Sequence, residues 1–305
     1  MASKTPQISE LVNMEDPEDV FDEVKKTVLL IFPQFDFVSV DVTFRDILRL
    51  FQGQYPGYQA CDTDYHDLKH TTDTFLAMAR IIHGAAITDR HFSERGVALG
   101  LISALLHDSG YILTVNEEGP GARYTLVHIK RSIEFMDNYF VARGFLREDF
   151  EFCQAILNCT GLDVRINDIQ FASQEDEILG KMLGTADLLS QMADRTYLEK
   201  LPFLYDEFKI ANVDGLGSEL DFFSDTPGFF DMTVDRFQHE LGDVKRYMRH
   251  HFRARWGIDR GLYMSAIEYS ITHLKHILED HTDDCRKQLR RAGVIHNLDR
   301  IRGLG

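Results

Sequence analysis

Apolar side chains recur at intervals of three and four along almost the whole chain, and this spacing limits what the chain can fold into more than any other property. Val20, Val24, Val28 and Ile31 follow Asp16 and Pro17, which read as a helix cap and first turn, and Pro33 closes the stretch. Phe237, Leu241, Val244 and Met248 repeat the pattern, as do Ile267, Ile271, Leu274 and Leu278. None of these stretches shows the alternation of a half-buried strand, and only seven prolines interrupt the chain, so it reads as all-α. Two segments rich in Gly, Asp and Pro break the pattern: "TVNEEGPGARY" around Gly119, and "NVDGLGSELDFFSDTPGFF" from Asn212 to Phe230. Both are expected to be long surface loops of one large domain, because helical spacing resumes after each. The expected layout is a helical segment over 1–45, a core over 46–210, a loop over 211–231, and C-terminal helices over 232–305 packing on the core.

A hydrophobic share of 44% in 305 residues is enough for a substantial interior. The first seven residues lack the pattern of a signal peptide, and "VLLIF" from Val28 is too short for one. The apolar run from Val97 to Leu106 is interrupted by Gly100 and Ser103 and falls short of the roughly 18 residues that a membrane span needs. Cys61, Cys153, Cys159 and Cys285 form no CxxC pair and read as packing residues of a protein in the reducing cytoplasm. The net charge of −16 argues against nonspecific nucleic-acid binding, which depends on clustered cations. A phosphorylated ligand would approach such a surface only where local positive charge, such as a bound metal ion, reverses the field.

Three of the 13 histidines fall in two short stretches, "YHDLKHTTD" (65–73) and "ALLHDSGY" (104–111). His66 and His70 are four apart, which on a helix puts them on one face. Two histidines at this spacing are common by accident and fit equally well as surface or core residues. His107 and Asp108 end the apolar run "VALGLISALL", where an ionised carboxylate is costly unless something pairs with it. A divalent cation would satisfy both side chains; so would Asp108 capping the turn at "SGY" while His107 bonds to the backbone. Asp187 lies among Leu183, Leu188 and Met192, where helical periodicity places its surroundings in the core, and it too needs a partner.

In this order, "YHDLKHTTD", "ALLHDSGY" and "TADLLSQMADRTYLEKL" resemble the three metal-site segments of the HD-domain superfamily of metal-dependent phosphohydrolases. The nearest branch is the class I cyclic-nucleotide phosphodiesterases, with a first segment YHNxxHAxD. The similarity runs from Tyr65 to Leu201. It implies a helical bundle in which His70, His107, Asp108 and Asp187 bind one or two divalent ions (Zn, Mn, Fe or Mg), with Asp108 able to bridge. It also implies that a metal-activated water attacks the phosphorus of a nucleotide-like phosphoester and that His66 acts as general acid. Asp73 would orient the first segment, and Tyr65 would pack.

The departures limit what carries over. Asp67 stands where the phosphodiesterases have Asn, leaving its hydrogen-bond partner open. "SGYILT" follows the HD pair where they have a further His, and the Gln and Phe that hold the purine there have no counterpart. His128 resembles the intermediate His of bacterial HD phosphohydrolases; it and Lys69 are candidates for a second-metal or phosphate contact, or else simply solvent-facing residues. Arg123, Lys130 and Arg131 are open to the same two readings. Between His128 and Asp187 there is no further His, which counts against an oxygenase. The remaining alternatives are a 5′-nucleotidase, a (p)ppGpp-type pyrophosphohydrolase, or a non-catalytic nucleotide sensor. His273 and His276, beside Lys275 and Glu279, are expected to be exposed.

Overall fold

The computed structural model describes residues 6–88, 90–279 and 288–289. Among these residues there are eleven α-helices and no strand: α1 (Pro17–Leu29), α2 (Val38–Phe51), α3 (Leu68–Ala86), α4 (Glu94–Leu106), α5 (His128–Arg143), α6 (Arg147–Asn158), α7 (Gln174–Ala193), α8 (Tyr197–Ile210), α9 (Glu219–His239), α10 (Tyr247–Trp256) and α11 (Leu262–Glu279). The all-α expectation holds. The first helix starts as its sequence suggests: Asp16 accepts a hydrogen bond from the Glu18 backbone N–H, and Pro17 fills the first turn, where no amide is needed.

The third helix determines the arrangement. "LKHTTDTFLAMARIIHGAA" has no polar face wide enough to meet solvent, and every residue from His70 to Ala85 is buried. A helix buried all round must be covered all round. The first, fourth, seventh and tenth helices pack against it, and α7 also touches α4, α6 and α11, so most of the helices share one hydrophobic core. Gly84 lets α10 approach, since a Cβ there would lie 1.9 Å from the Tyr247 carbonyl oxygen.

Two expectations about the C-terminal part need correction. The predicted loop over 211–231 is helical from Glu219 onward, because Ser218 and Asp221 form a reciprocal capping box, and the helix continues through Pro227. Burial of Phe223, Thr226 and Phe237 along one face outweighs the helix-breaking tendency of Gly and Pro. The apolar repeat 237, 241, 244, 248 is not one helix either. Gly242 and Asp243 adopt positive φ and turn the chain between α9 and α10, although all four apolar side chains stay buried. Cys153 and Cys159 are buried and Cys61 is half-buried, as packing residues should be; Cys285 lies outside the described residues, as do 280–287 and 290–305 of the predicted C-terminal segment. No helix among the described residues is long and apolar enough to cross a membrane.

Candidate metal centre

The two histidines of the first motif do not share a helix. Asp67 caps α3, its Oδ1 accepting from the His70 backbone N–H at 2.8 Å, so the helix starts at Leu68 and His66 stays outside it. His70 sits in the first turn and projects toward the end of α4. There the apolar run stops at Leu106 and His107 and Asp108 follow. Asp108 makes no side-chain cap to the Ser109–Tyr111 turn. That turn is fixed instead by Ser132 of α5, which donates to the His107 carbonyl at 2.5 Å and accepts from the Gly110 N–H at 2.8 Å. Asp187 enters from the middle of α7.

The donor atoms of these segments converge. His70 Nε2 lies 3.1 Å from His107 Nε2, 3.2 Å from Asp108 Oδ2 and 3.2 Å from Asp187 Oδ1. His107 Nε2 is 3.3 Å from Asp108 Oδ2 and 3.7 Å from Asp187 Oδ1. Donors about 2.1 Å from a shared cation would stand ~3.0–3.4 Å apart in octahedral or tetrahedral coordination. His70, His107 and Asp187 form a buried group able to hold a metal ion, and Asp108 reaches both imidazoles.

The surroundings aim these atoms. His107 Nδ1 donates to the Ala104 carbonyl at 2.8 Å, which leaves Nε2 with its lone pair toward the cluster. His70 Nδ1 faces Ser190 Oγ at 3.5 Å, and Ser190 in turn meets Thr74 at 2.7 Å, tying α3 to α7. Gln191 donates to Asp187 Oδ1 at 2.7 Å.

Burial alone would keep His70 neutral, but the carboxylates of Asp108 and Asp187 outweigh it and push the imidazole up to about 9. His107 is raised well above its ordinary value by the same neighbours, again against desolvation. Desolvation opposes the charge on Asp108 and Asp187, yet the two histidines hold both carboxyls well below the usual range. A divalent ion entering the cluster would compete with the protons these groups share, so metal binding and proton release are coupled there. Asp108 Oδ2 is buried with the two imidazoles 3.2 and 3.3 Å away but no well-formed hydrogen bond, a condition that a cation would relieve. By both tests the residues fit a metal ion.

His66 stands beside the cluster, its ring 5.9 Å from that of His70. Its Nδ1 is 2.6 Å from Glu207 Oε2, while Glu207 Oε1 accepts from the Tyr65 backbone N–H at 2.9 Å. Tyr111 stacks on His66 and on His128, with ring centroids 4.5 and 4.7 Å away. His128 Nδ1 bonds the Thr125 carbonyl at 2.6 Å, and its Nε2 lies 3.8 Å from Asp108 Oδ1, the oxygen not shared with His70 and His107. Desolvation lowers the pKa of His128, with Asp108 opposing.

Lys69 goes elsewhere. Its ammonium pairs with Asp73 at 2.6 Å and Asp194 at 3.3 Å, in a half-buried ion-pair network rather than facing solvent. Arg131 likewise is held by Glu117 at 3.0 Å. His276 is exposed as expected, whereas His273 is half-buried. Sequence reasoning passed over Glu207, Gln191 and Lys200. Glu207 had no local signal, being one of several acids on an amphipathic helix.

Taken together, fold and site define an all-helical protein whose core encloses a histidine–aspartate cluster fit for a metal ion. The family model for Npun_R2479-like proteins matches residues 57–241, well over half of the chain. The chain belongs to that family. The matched span includes every cluster residue as well as His66 and Glu207. No curated protein and no solved structure matches the chain.

Proposed function

We propose that the protein is a metal-dependent phosphohydrolase acting on a phosphoester of a nucleotide-like small molecule. The observation that carries this reading is the convergence of His70, His107, Asp108 and Asp187 beside a fifth residue, His66, that is held off the cluster by its own carboxylate. The resemblance of the three segments to HD-domain phosphohydrolases supports it. A divalent ion held by those four residues would lower the pKa of water and neutralise charge on the phosphoryl oxygens.

The remaining chemistry falls to the chain. Glu207 accepts the Nδ1–H of His66 and fixes the ring, so that Nε2 is the atom left to hand a proton to the leaving oxygen as the P–O bond breaks. Water supplies the oxygen that joins phosphorus and releases a proton to solvent, from which His66 is recharged. Tyr111 keeps the His66 ring in its plane by stacking. Asp108, with Oδ1 toward His128, has an oxygen available for a second ion.

The test is metal analysis of the purified protein, followed by a phosphomonoester and phosphodiester panel with Mn²⁺, Zn²⁺ or Mg²⁺. Turnover by the wild type that is abolished in both Asp108→Ala and Asp187→Ala supports the reading. Failure to retain any divalent ion, or full activity in those variants, refutes it. A protein that retains an ion and binds nucleotides but turns over no phosphoester would be a sensor.

A further inference from the structure

The Asn that the phosphodiesterase pattern places after the first His is Asp67 here, and its partner is Lys200. Lys200 Nζ lies 2.7 Å from Asp67 Oδ2, while Asp67 Oδ1 caps α3. Both oxygens of one carboxylate are therefore engaged, one by α3 and one by α8. Lys200 is buried, and the pair belongs to an alternating series: Asp67, Lys200, Asp194, Lys69 and Asp73, with Lys200 to Asp194 at 3.9 Å. Asp73 and Lys200 are buried, while Asp67, Lys69 and Asp194 are half-buried, so the series holds its geometry more firmly than a fully solvated surface pair.

Lys200 and Glu207 are seven residues apart on α8, two turns along the same face. They grip adjacent residues: Lys200 holds Asp67 and Glu207 holds His66. His66 lies outside α3, so no helical hydrogen bond fixes it. Its carbonyl accepts from Thr63 Oγ1 at 2.7 Å, with Cys61 Sγ 3.7 Å away, and the N–H of the preceding Tyr65 goes to Glu207. Pro202 lies between the two gripping residues and removes one rung of the α8 hydrogen-bond ladder, so the Glu207 half is not oriented by backbone continuity alone. Apolar packing of Leu198, Leu201 and Phe203 holds α8 in place, and the two polar contacts on one face tie it to the segment that carries His66.

We infer that Lys200 is a positioning residue for His66: through Asp67 it ties α8 to the segment next to His66, and with it the place of Glu207 against the imidazole. The catalytic consequence rests on the reading of His66 as proton donor. The geometric consequence does not.

The experiment compares wild type, Lys200→Met, Lys200→Arg and Asp67→Asn by two measurements. The first is the downfield ¹H resonance of the His66 Nδ1 proton in the Glu207 hydrogen bond, assigned by its loss in His66→Gln. The second is steady-state kinetics on whichever phosphoester the panel identifies. Lys200→Met should broaden or remove the resonance and lower kcat about tenfold with KM within twofold, as expected for a reacting group slightly misplaced. Lys200→Arg should restore both. Asp67→Asn keeps an oxygen for the cap but loses the ion pair, so it should behave like Lys200→Met; it decides the matter alone if Lys200→Met does not fold. An unchanged resonance in these variants, or no such resonance in the wild type, overturns the inference. Absence of turnover on every phosphoester would defeat the hydrolase reading and leave the resonance to decide the positioning role.

Discussion

His66 Nδ1 and Glu207 Oε2 meet at 2.6 Å although 141 positions separate them in the chain. The second oxygen of the same carboxylate takes the backbone N–H of Tyr65, so Glu207 holds both the ring of His66 and the strand of chain that carries it. A carboxylate so placed fixes tautomer and orientation together. Glu207→Gln keeps the shape but removes the charge. It should lower kcat by at least about tenfold and leave KM nearly unchanged, while His66→Ala should lose the larger factor of about 10²–10⁴ associated with general acid catalysis. Steady-state kinetics of the two variants check this, and a Glu207→Gln enzyme as active as wild type would remove Glu207 from the mechanism.

Metal loading should stabilise the fold, because the four donors come from three separate segments and the ion would join them. At a free-ion concentration 100 times Kd the gain is about 2.7 kcal/mol, and chelation should lower Tm accordingly. Asp187→Ala removes one donor from α7 and should abolish both the bound ion and the Tm response to added metal. Thermal denaturation with and without chelator, alongside elemental analysis, reads both.

What the sequence made legible follows from where each residue sits. His107 and Asp108 stood out because they close an apolar run, and the structure buries both at the end of α4. Asp187 stood out for the same reason, a charge on an otherwise apolar stretch of α7. Glu207 lies on a helix where acids are ordinary, and only the fold shows that this one faces His66. Lys69 was open to two readings; its nearer partner, Asp73, lies four residues along the same motif, and only its second partner, Asp194, is remote at 125 positions away. The helix from Glu219 was hidden by Gly and Pro, whose local preferences yield to the buried face of Phe223, Thr226 and Phe237.

Away from the metal centre, His83 and His251 form a buried pair, Nδ1 to Nδ1 at 3.1 Å, beside Arg80 and Arg255. Burial and then Arg255 push His83 down from 6.5 to about 4, and His251 is lowered further, by burial first and Arg80 next. In the unfolded chain these imidazoles take protons as pH falls through about 6.5, whereas the folded protein resists protonation of His83 until about pH 4. The unfolded state therefore binds more protons in that window, so stability is full above pH 6.5 and declines as pH drops toward 4. Urea denaturation from pH 7.5 to 4 should show this decline, and His83→Phe should flatten it. An identical slope in the variant would assign acid sensitivity to other groups.

Gly110 tests how the HD turn is held against α5. A Cβ added there would lie 2.0 Å from the His128 carbonyl oxygen and 2.7 Å from the Ser132 backbone nitrogen, both backbone atoms that cannot swing aside. Gly110→Ala must therefore push α5 away from the turn, stretching the Ser132 bonds to His107 and Gly110 and drawing His128 from Asp108. Overpacking of this kind costs about 1–3 kcal/mol. Gly144→Ala serves as the comparison, since nothing lies within 4 Å of a Cβ there and its φ of 75° makes any penalty one of backbone strain alone. Chemical denaturation should find both variants destabilised, but only Gly110→Ala should also lose metal affinity, because only Gly110 is packed against the residues that hold Asp108 in place. Equal metal affinity in the two variants would mean that the turn keeps its ligands without α5.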